Sequence, residues 1–215
     1  MIKDLRKYIS THRYCLLLLY LPVYLISFFI IDRLPAEHYI IRCPLDDYIP
    51  FNQYMIIPYG IWYVWFPGWL IFFMLRSPEE FKRLAVVMFS GMTVSLIIYV
   101  VWPNGIDLRE PITGTDVCSK ALSWIREVDT PYGVCPSIHI STVAAIAFVI
   151  QYSKLPVFTD TAKAYCMVIA LMICYATMAT KQHSIVDVLA GVLLSAILYY
   201  IYPFIYKRWG WLRKL

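Results

Sequence analysis

Long apolar blocks separated by short polar segments run along the whole chain. A helix that crosses a bilayer needs about 20 mostly apolar residues, whereas a surface helix of a soluble protein shows an apolar stripe. The blocks therefore predict an all-α, polytopic membrane bundle that forms a single domain over residues 1–215. Its six transmembrane helices are expected at about residues 14–31, 53–75, 84–102, 139–152, 164–180 and 185–205.

The composition agrees with a membrane environment. Hydrophobic residues make up 60% of the chain and charged residues 15%, compared with about 25% charged residues in soluble domains. A soluble fold of this composition would expose large apolar patches. The net charge of +5 suggests nucleic acid, but the basic residues form short clusters between the apolar blocks and no continuous face. We therefore expect the lipid bilayer as a partner and no nucleic acid.

The distribution of basic residues predicts the orientation in the membrane. With the N-terminus inside, only six of the 19 Lys and Arg residues fall outside: Arg33, Arg42, Arg109, Lys120, Arg126 and Lys181. Because cytoplasmic segments carry the excess of Lys and Arg, both termini are expected inside a bacterial cytoplasmic membrane. The outer segments are then 32–52, 103–138 and 181–184. Residues 1–13 are basic but no cleavage site follows, which indicates a retained first helix.

The segment 103–138 is the longest polar stretch. It predicts a short amphipathic helix near residues 116–127, with Asp116 as its N-cap and with Leu122 and Ile125 on one side. Cys118 and Cys135 fall in the same outer segment, where the compartment would allow a disulfide. Spacing alone does not decide between a bridge and two free thiols.

His183 and Asp187 stand at the start of the sixth predicted span. Residues four apart share one face of a helix, so the Asp187 carboxylate is expected to accept the Nδ1 proton of His183. Nε2 then carries a free lone pair. When Nε2 attacks a substrate, the carboxylate stabilises the positive charge that develops on the ring. A buried polar pair that only clamps helices is the alternative. A carboxylate in a run as apolar as residues 185–194 is costly without a partner and a purpose, which favours the catalytic interpretation.

The run Cys135-Pro136-Ser137-Ile138-His139 opens the fourth predicted span. Pro136 suits the first turn of a helix, and Ser137 with the free backbone N–H groups there can bind an anion. If that anion is the phosphate group of an ester, His139 would stand near it. There it can protonate the leaving alkoxide and later accept a proton from water. Ser137 as a simple cap and His139 as an interfacial residue are the alternatives.

Two further basic residues could bind phosphate. Arg109 offers planar, bidentate recognition of phosphate oxygens, although an ion pair with Glu110 in a solvated loop would also explain it. Lys181 could add a second positive charge or be an interfacial lysine. His139 and His183 are the only well-placed histidines, which leaves too few ligands for catalytic zinc, and no nucleotide-binding glycine loop is present. We therefore expect neither a metal nor a cofactor.

In order and spacing, these motifs resemble the three signatures of the type-2 phosphatidic acid phosphatase superfamily over about residues 84–205. The first signature ends in Arg-Pro, the second is Pro-Ser-Gly-His, and the third ends in His, three residues and Asp. The matching runs are Arg109-Glu110-Pro111, Pro136-Ser137-Ile138-His139 and His183-Ser184-Ile185-Val186-Asp187. Trp102 and Thr177 stand where the first and third signatures carry a cation.

The resemblance implies a six-span enzyme that hydrolyses a lipid phosphate without a metal. It implies His183 as the nucleophile that forms a phosphohistidine, and Asp187 as its orienting group. It also implies His139 as general acid and then base, with Ser137 and Arg109 as phosphate binders. The Pro-Ser-x-His and Lys-Gln-His forms further resemble the branch related to inositol phosphorylceramide synthases, so transfer of a head group to a second alcohol is an alternative. A non-catalytic membrane scaffold or transporter is another.

Overall fold

The structure is a computed structural model that describes residues 11–211. Within this range the chain forms seven α-helices, α1 to α7: Tyr20–Ile31, Ile56–Arg76, Pro78–Val101, Val117–Val128, Ile138–Tyr152, Asp160–Ala179 and Ile185–Arg208. It also forms 3-10 segments at Arg13–Leu19, Pro44–Tyr48 and Gln53–Met55, and two short strands, β1 (Tyr39–Ile40) and β2 (Asn104–Gly105). The predicted all-α bundle is confirmed. Five of the basic residues that set the expected orientation lie outside the described residues, namely Lys3, Arg6, Lys7, Arg213 and Lys214.

Five helical segments of the described chain are long and apolar enough to cross a membrane: Arg13–Ile31, Gln53–Arg76, Pro78–Val101, Asp160–Ala179 and Ile185–Arg208. The fourth predicted span is the shorter helix α5, which has 15 residues. A helix of that length rises about 22 Å, less than the roughly 30 Å of a hydrocarbon core. The predicted count of six full spans is therefore not confirmed.

The third span begins earlier than predicted, at Pro78 instead of near residue 84. Ser77 caps this helix α3 by accepting a backbone N–H from its first turn, and proline suits the first helical position. The first turn is charged, but Lys82 is buried and pairs with Glu79 at 2.7 Å. The hydropathy pattern excluded this charged turn from the predicted span. Hydropathy takes no account of the ion pair that allows Lys82 to be buried.

The short helix α5 lies in the middle of the bundle, where it packs against α2, α3, α6 and α7. Most of its residues are buried. Gly191 of α7 permits the closest approach, since a Cβ there would lie 2.8 Å from the carbonyl oxygen of Ser137. One turn further along α7, Ser195 Oγ donates to the Ser141 carbonyl at 2.6 Å. Because small residues let helix backbones approach closely, the first turns of α5 and α7 lie side by side.

The polar segments that follow α1 and α3 are joined by backbone pairing. β1 pairs in parallel with β2. The side chain of Asn104 then joins β2 to the segment before α5, because its Oδ1 accepts the N–H groups of Val134 at 3.0 Å and Cys135 at 2.8 Å. The chain that leads into α5 is therefore held against β2.

The amphipathic helix predicted in the long polar segment is confirmed as α4. Asp116 caps it by accepting the N–H groups of Cys118 and Ser119, and Leu122 and Ile125 are buried. Cys118 and Cys135 are both free thiols. The two-thiol alternative is thus the one that the structure contains.

Candidate active site

His183 lies in the turn between α6 and α7. The backbone N–H groups of Gln182 and His183 donate to the Thr177 carbonyl at 3.0 and 3.2 Å, which closes the end of α6. His183 Nδ1 lies 3.1 Å from Oδ2 of Asp187, in the first turn of α7, and the Asp187 side chain is fully buried. The two residues therefore meet across a turn followed by a helix, and not along one helix face as the spacing predicted.

Two further side chains meet His183 at its other ring nitrogen. Ser137 Oγ and His139 Nδ1 each lie 3.2 Å from His183 Nε2. Ser137 is the N-cap of α5, and its Oγ also accepts the N–H of Ile140 at 3.3 Å. Pro136 precedes the cap and does not occupy the first helical turn as predicted. The structure thus brings His183, Asp187, His139 and Ser137 into one hydrogen-bonded cluster.

The Lys181 side chain is directed toward the segment that precedes α2. Its ammonium group donates to the carbonyl oxygens of Asp46 at 2.8 Å and Ile49 at 2.6 Å. Lys181 has a φ of 57°, a left-handed conformation that is uncommon outside glycine. An ammonium group has three donors, so two of them are used to hold the turn that carries His183.

The carboxylate of Asp46 holds the same turn from the other side. Its Oδ1 accepts the N–H of Ile185 at 2.8 Å, and its Oδ2 accepts Ser184 Oγ at 2.7 Å and the N–H of Cys43 at 2.8 Å. Burial raises the pKa of the Asp46 carboxyl, but these hydrogen bonds together outweigh burial and hold its pKa below the usual range. Asp46 is thereby a charged anchor for the first residues of α7.

Arg109 lies at the C-terminal end of α4. Its two Nη atoms donate to the carbonyls of Arg126 at 3.2 Å and Asp129 at 2.7 Å, and its buried Nε has no hydrogen-bond partner in the described chain. Burial lowers the pKa of Arg109, while the nearby Asp129 opposes that shift. A guanidinium has five donors, so three N–H groups remain for another acceptor. Arg126 in turn donates to the Glu110 and Thr180 carbonyls.

A cavity of about 160 Å³ opens onto the two histidines. One wall is apolar and comes from the first span, through Tyr24, Leu25, Phe28 and Phe29. Leu25 and Phe29 are also among the exposed hydrophobic side chains. The cavity therefore joins the histidine cluster to the outer surface of the first span, which is the kind of surface that contacts lipid.

The polar wall of the cavity contains Asp129 and Gln182. Both polar atoms of the buried Gln182 amide lack a hydrogen-bond partner among the described residues. Burial raises the pKa of Asp129, while His183, Arg109 and a hydrogen bond with Tyr59 act in the opposite direction. A carboxyl group and an unpaired amide thus face the same space as the two histidines.

Two residues of α2 hold the His139 ring, and the sequence indicated a role for neither. Tyr59 OH lies 3.2 Å from His139 Nε2. The Trp62 ring packs edge-on against His139 with 4.3 Å between centroids, and its Nε1 donates to Thr142 Oγ1 at 2.9 Å. The two residues are three apart, which places them on one face of α2. That spacing was visible in the sequence, but nothing in it named the partner.

The two positions where the signatures carry a cation have other roles here. The carbonyl of Thr177 receives the N–H groups of Gln182 and His183, as described above. Trp102 is partly exposed at the end of α3. Across residues 11–211, no three His, Cys, Asp or Glu side chains come together as a possible metal site. Metal-independent chemistry remains a prediction.

Comparisons with known proteins identify the fold and the family. The crystal structure of Aquifex aeolicus LpxE is similar in fold, with a TM-score of 0.50 and 22% sequence identity over 82% of this chain and 92% of that chain. No curated protein sequence matches the chain. The family model described as the PAP2 superfamily matches residues 84–211, which include most of α3, all of α4 to α7 and the whole histidine cluster. Because this match covers more than half of the 215 residues, the chain belongs to the PAP2 superfamily, as its three motifs predicted.

Proposed function

We propose that this membrane protein is a lipid-phosphate phosphatase that hydrolyses a phosphomonoester or diphosphate through a phosphohistidine. Membership in the PAP2 superfamily supports a phosphoric ester hydrolase that acts on a membrane lipid. The observation that carries the proposal is the position of His183. Its Nδ1 lies 3.1 Å from a buried carboxylate, and its Nε2 lies 3.2 Å from both Ser137 Oγ and His139 Nδ1.

In the first step, His183 Nε2 attacks phosphorus and the ester P–O bond breaks. Asp187 accepts the Nδ1–H and stabilises the positive charge that develops on the ring. His139 gives its proton to the leaving alkoxide. The N–H groups at the start of α5 and the unused N–H groups of Arg109 are suited to the phosphoryl oxygens.

In the second step, water replaces the leaving alcohol. His139, now without its acidic proton, accepts a proton from this water as its oxygen attacks phosphorus. The N–P bond breaks, phosphate leaves, and His183 returns to its starting form. No step requires a metal ion or a cofactor, and Lys181 contributes by holding the turn and by its positive charge near the phosphate.

The cavity supports a lipid as the substrate. Its apolar wall belongs to the first span, so an acyl or prenyl chain can remain among apolar side chains while its phosphate meets the histidines. Following the distribution of Lys and Arg, we place the site at the outer face of a bacterial cytoplasmic membrane, with both termini inside.

Product analysis tests the proposal. Purified protein is incubated with a lipid phosphate, and both free phosphate and new phosphodiesters are measured. We expect phosphate release and an acid-labile phosphoryl label on the protein. Both should be lost in His183→Ala and kept in His38→Ala, which removes a histidine outside the cluster. Unchanged activity in His183→Ala would instead support a non-catalytic scaffold or transporter.

Transfer of a head group to a second alcohol is the alternative that one observation favours. The Asp129 carboxyl lines the cavity beside the histidines. A carboxyl group in either protonation state has an oxygen that accepts a hydrogen bond from an alcohol. A new phosphodiester formed in preference to free phosphate would establish transfer, and it would fit the resemblance to the branch related to inositol phosphorylceramide synthases.

A further inference from the structure

Gln182 directly precedes the proposed nucleophile His183 and lines the same cavity as both histidines. It is only 2% exposed, yet neither the nitrogen nor the oxygen of its amide has a hydrogen-bond partner among the described residues. Within residues 11–211 it is the one cavity-lining residue with an unpaired buried side-chain nitrogen or oxygen. A buried polar group without a partner is costly, so this amide is suited to a group that enters the cavity.

The fold holds Gln182 in place without using its side chain. The backbone N–H of Gln182 donates to the Thr177 carbonyl at 3.0 Å and so helps to close the end of α6. Two other polar side chains on the cavity wall, Tyr99 and Thr130, each donate a hydroxyl hydrogen bond to another part of the fold. The amide of Gln182 has no such contact, and a purely structural role does not explain it.

The chemistry of the amide indicates what it binds. An amide has N–H donors on its nitrogen and acceptor lone pairs on its oxygen. A fully ionised phosphate offers only acceptor oxygens, so it can pair with the N–H groups but leaves Oε1 without a donor. An ester whose alcohol also carries a free hydroxyl offers both partners, because the phosphate oxygen accepts from Nε2 and the hydroxyl donates to Oε1.

The position of Gln182 indicates where that hydroxyl lies in the substrate. Gln182 and His183 are consecutive residues, with Cα atoms about 3.8 Å apart. When the phosphorus meets His183, the group beside Gln182 therefore belongs to the part of the substrate next to the phosphate. Asp129 lines the same cavity, and its carboxyl group adds a second acceptor that an ionised phosphate cannot use but a hydroxyl can.

We propose that Gln182 is a specificity-determining residue, which bridges the phosphate group and a free hydroxyl one carbon away from the ester. The inference rests on the proposed function and narrows its substrate to the phosphate ester of a diol or polyol that carries a lipid chain. A phosphate ester of a simple alcohol, such as a prenol, would leave the Gln182 oxygen unpaired once it fills the cavity.

The test compares two substrates that differ by one hydroxyl. The first is a long-chain monoalkyl ether of glycerol phosphate, whose middle carbon carries the hydroxyl. The second is the matching ether of propanediol phosphate, in which hydrogen replaces that hydroxyl. For the unmodified protein we expect kcat/KM to be about ten- to a hundredfold higher for the first substrate, because the second leaves a buried acceptor unpaired.

Gln182→Met keeps the length of the side chain and removes its hydrogen-bonding groups. Both substrates should react more slowly, because both lose the amide N–H at the phosphate. The hydroxylated substrate should lose about tenfold more, since it alone also loses the contact to Oε1. Gln182→Asn, which withdraws the amide by one methylene group, should show the same loss of preference and serves if the methionine variant does not fold.

Gln151→Met is the matched control. It removes a glutamine amide that donates to the Lys163 carbonyl at 2.9 Å, at the other end of α5. This control should keep the preference for the hydroxylated substrate.

Three results would overturn the inference: equal rates of the unmodified protein on both substrates, equal losses on both in Gln182→Met, or a similar loss of preference in Gln151→Met. Equal losses in Gln182→Met would mean that Gln182 contacts the phosphate alone. Release of phosphate from neither substrate by the unmodified protein would instead overturn the proposed function.

Discussion

The substitution Asp187→Asn removes the negative charge beside His183 and preserves the size of the side chain. Oδ2 of Asp187 lies 3.1 Å from His183 Nδ1, and the side chain is fully buried. An asparagine can present its oxygen to Nδ1 without a charge, or it can present its NH₂ group. In the second arrangement the amide donates to Nδ1, the imidazole proton moves to Nε2, and the nucleophilic lone pair is lost.

The size of the effect follows from the charge that develops on His183 during attack. Two unit charges about 4 Å apart interact by about 4 kcal/mol at an effective dielectric constant near 20. At 1.36 kcal/mol for each factor of ten, this is about a 10³-fold loss in rate. Loss of the correct histidine tautomer in a serine-protease triad lowers kcat by about 10⁴. We therefore expect kcat to fall by about 10³–10⁴, with KM nearly unchanged because Asp187 contacts His183 and does not line the cavity.

The assay is release of phosphate from a lipid phosphate in detergent micelles, with the amount of folded protein measured by size-exclusion chromatography. Glu80→Gln is the matched control, because it makes the same change from carboxylate to amide at the first turn of α3, where Glu80 accepts Ser153 Oγ at 2.8 and 2.9 Å. This control should keep its activity. A kcat for Asp187→Asn within about threefold of the unmodified protein would refute the orienting role.

Two further substitutions test the surroundings of the site, and two cysteine substitutions test the topology. Arg109→Ala should raise KM about tenfold or more and change kcat less, because its unused N–H groups are proposed to bind phosphate; steady-state kinetics checks this, and an unchanged KM would leave Lys181 as the candidate cation. Asp46→Asn should lower the stability by about 2 kcal/mol at neutral pH, since hydrogen bonds to a charged group are lost. The Asp46 pKa is lowered in the folded state, so this stabilisation exists above the unfolded pKa of about 3.9 and disappears as the pH falls through the lower folded value. Thermal unfolding should therefore separate the two proteins at pH 7 and much less in strong acid; a constant difference would contradict the argument. In a cysteine-free background, Thr115→Cys should react with an impermeant thiol reagent from outside and Lys154→Cys only after lysis, and the reverse pattern would invert the topology.

The sequence predicted those features that depend on neighbouring residues. The long apolar blocks indicated the helices, and Asp116 marked the start of α4. His183 and Asp187 are close enough in the chain that they meet in a helix or in the observed turn. Each of these signals is local, so it can be recognised without knowledge of the tertiary packing.

Contacts between distant parts of the chain could not be predicted in this way. Tyr59 and His139 are 80 positions apart, and Asp46 and Ile185 are 139 positions apart. Tyrosine in an aromatic helix and aspartate in a polar loop are ordinary in their local surroundings, and nothing local names the partner. The direction of Lys181 was likewise set by two distant carbonyls and not by its position before His183.

The shortness of α5 explains why His139 and His183 lie below the outer end of α3. α5 ends beside the start of α3, where Ser153 Oγ meets Glu80. From that common level, α3 rises about 28 Å to Tyr99 and α5 only about 22 Å to its first residue. The Tyr99 hydroxyl bridges the difference by donating to the Pro136 carbonyl at 2.7 Å. His183 is only 5% exposed and the Asp187 side chain is fully buried, and this burial strengthens the interaction between them on which the predicted rate loss depends.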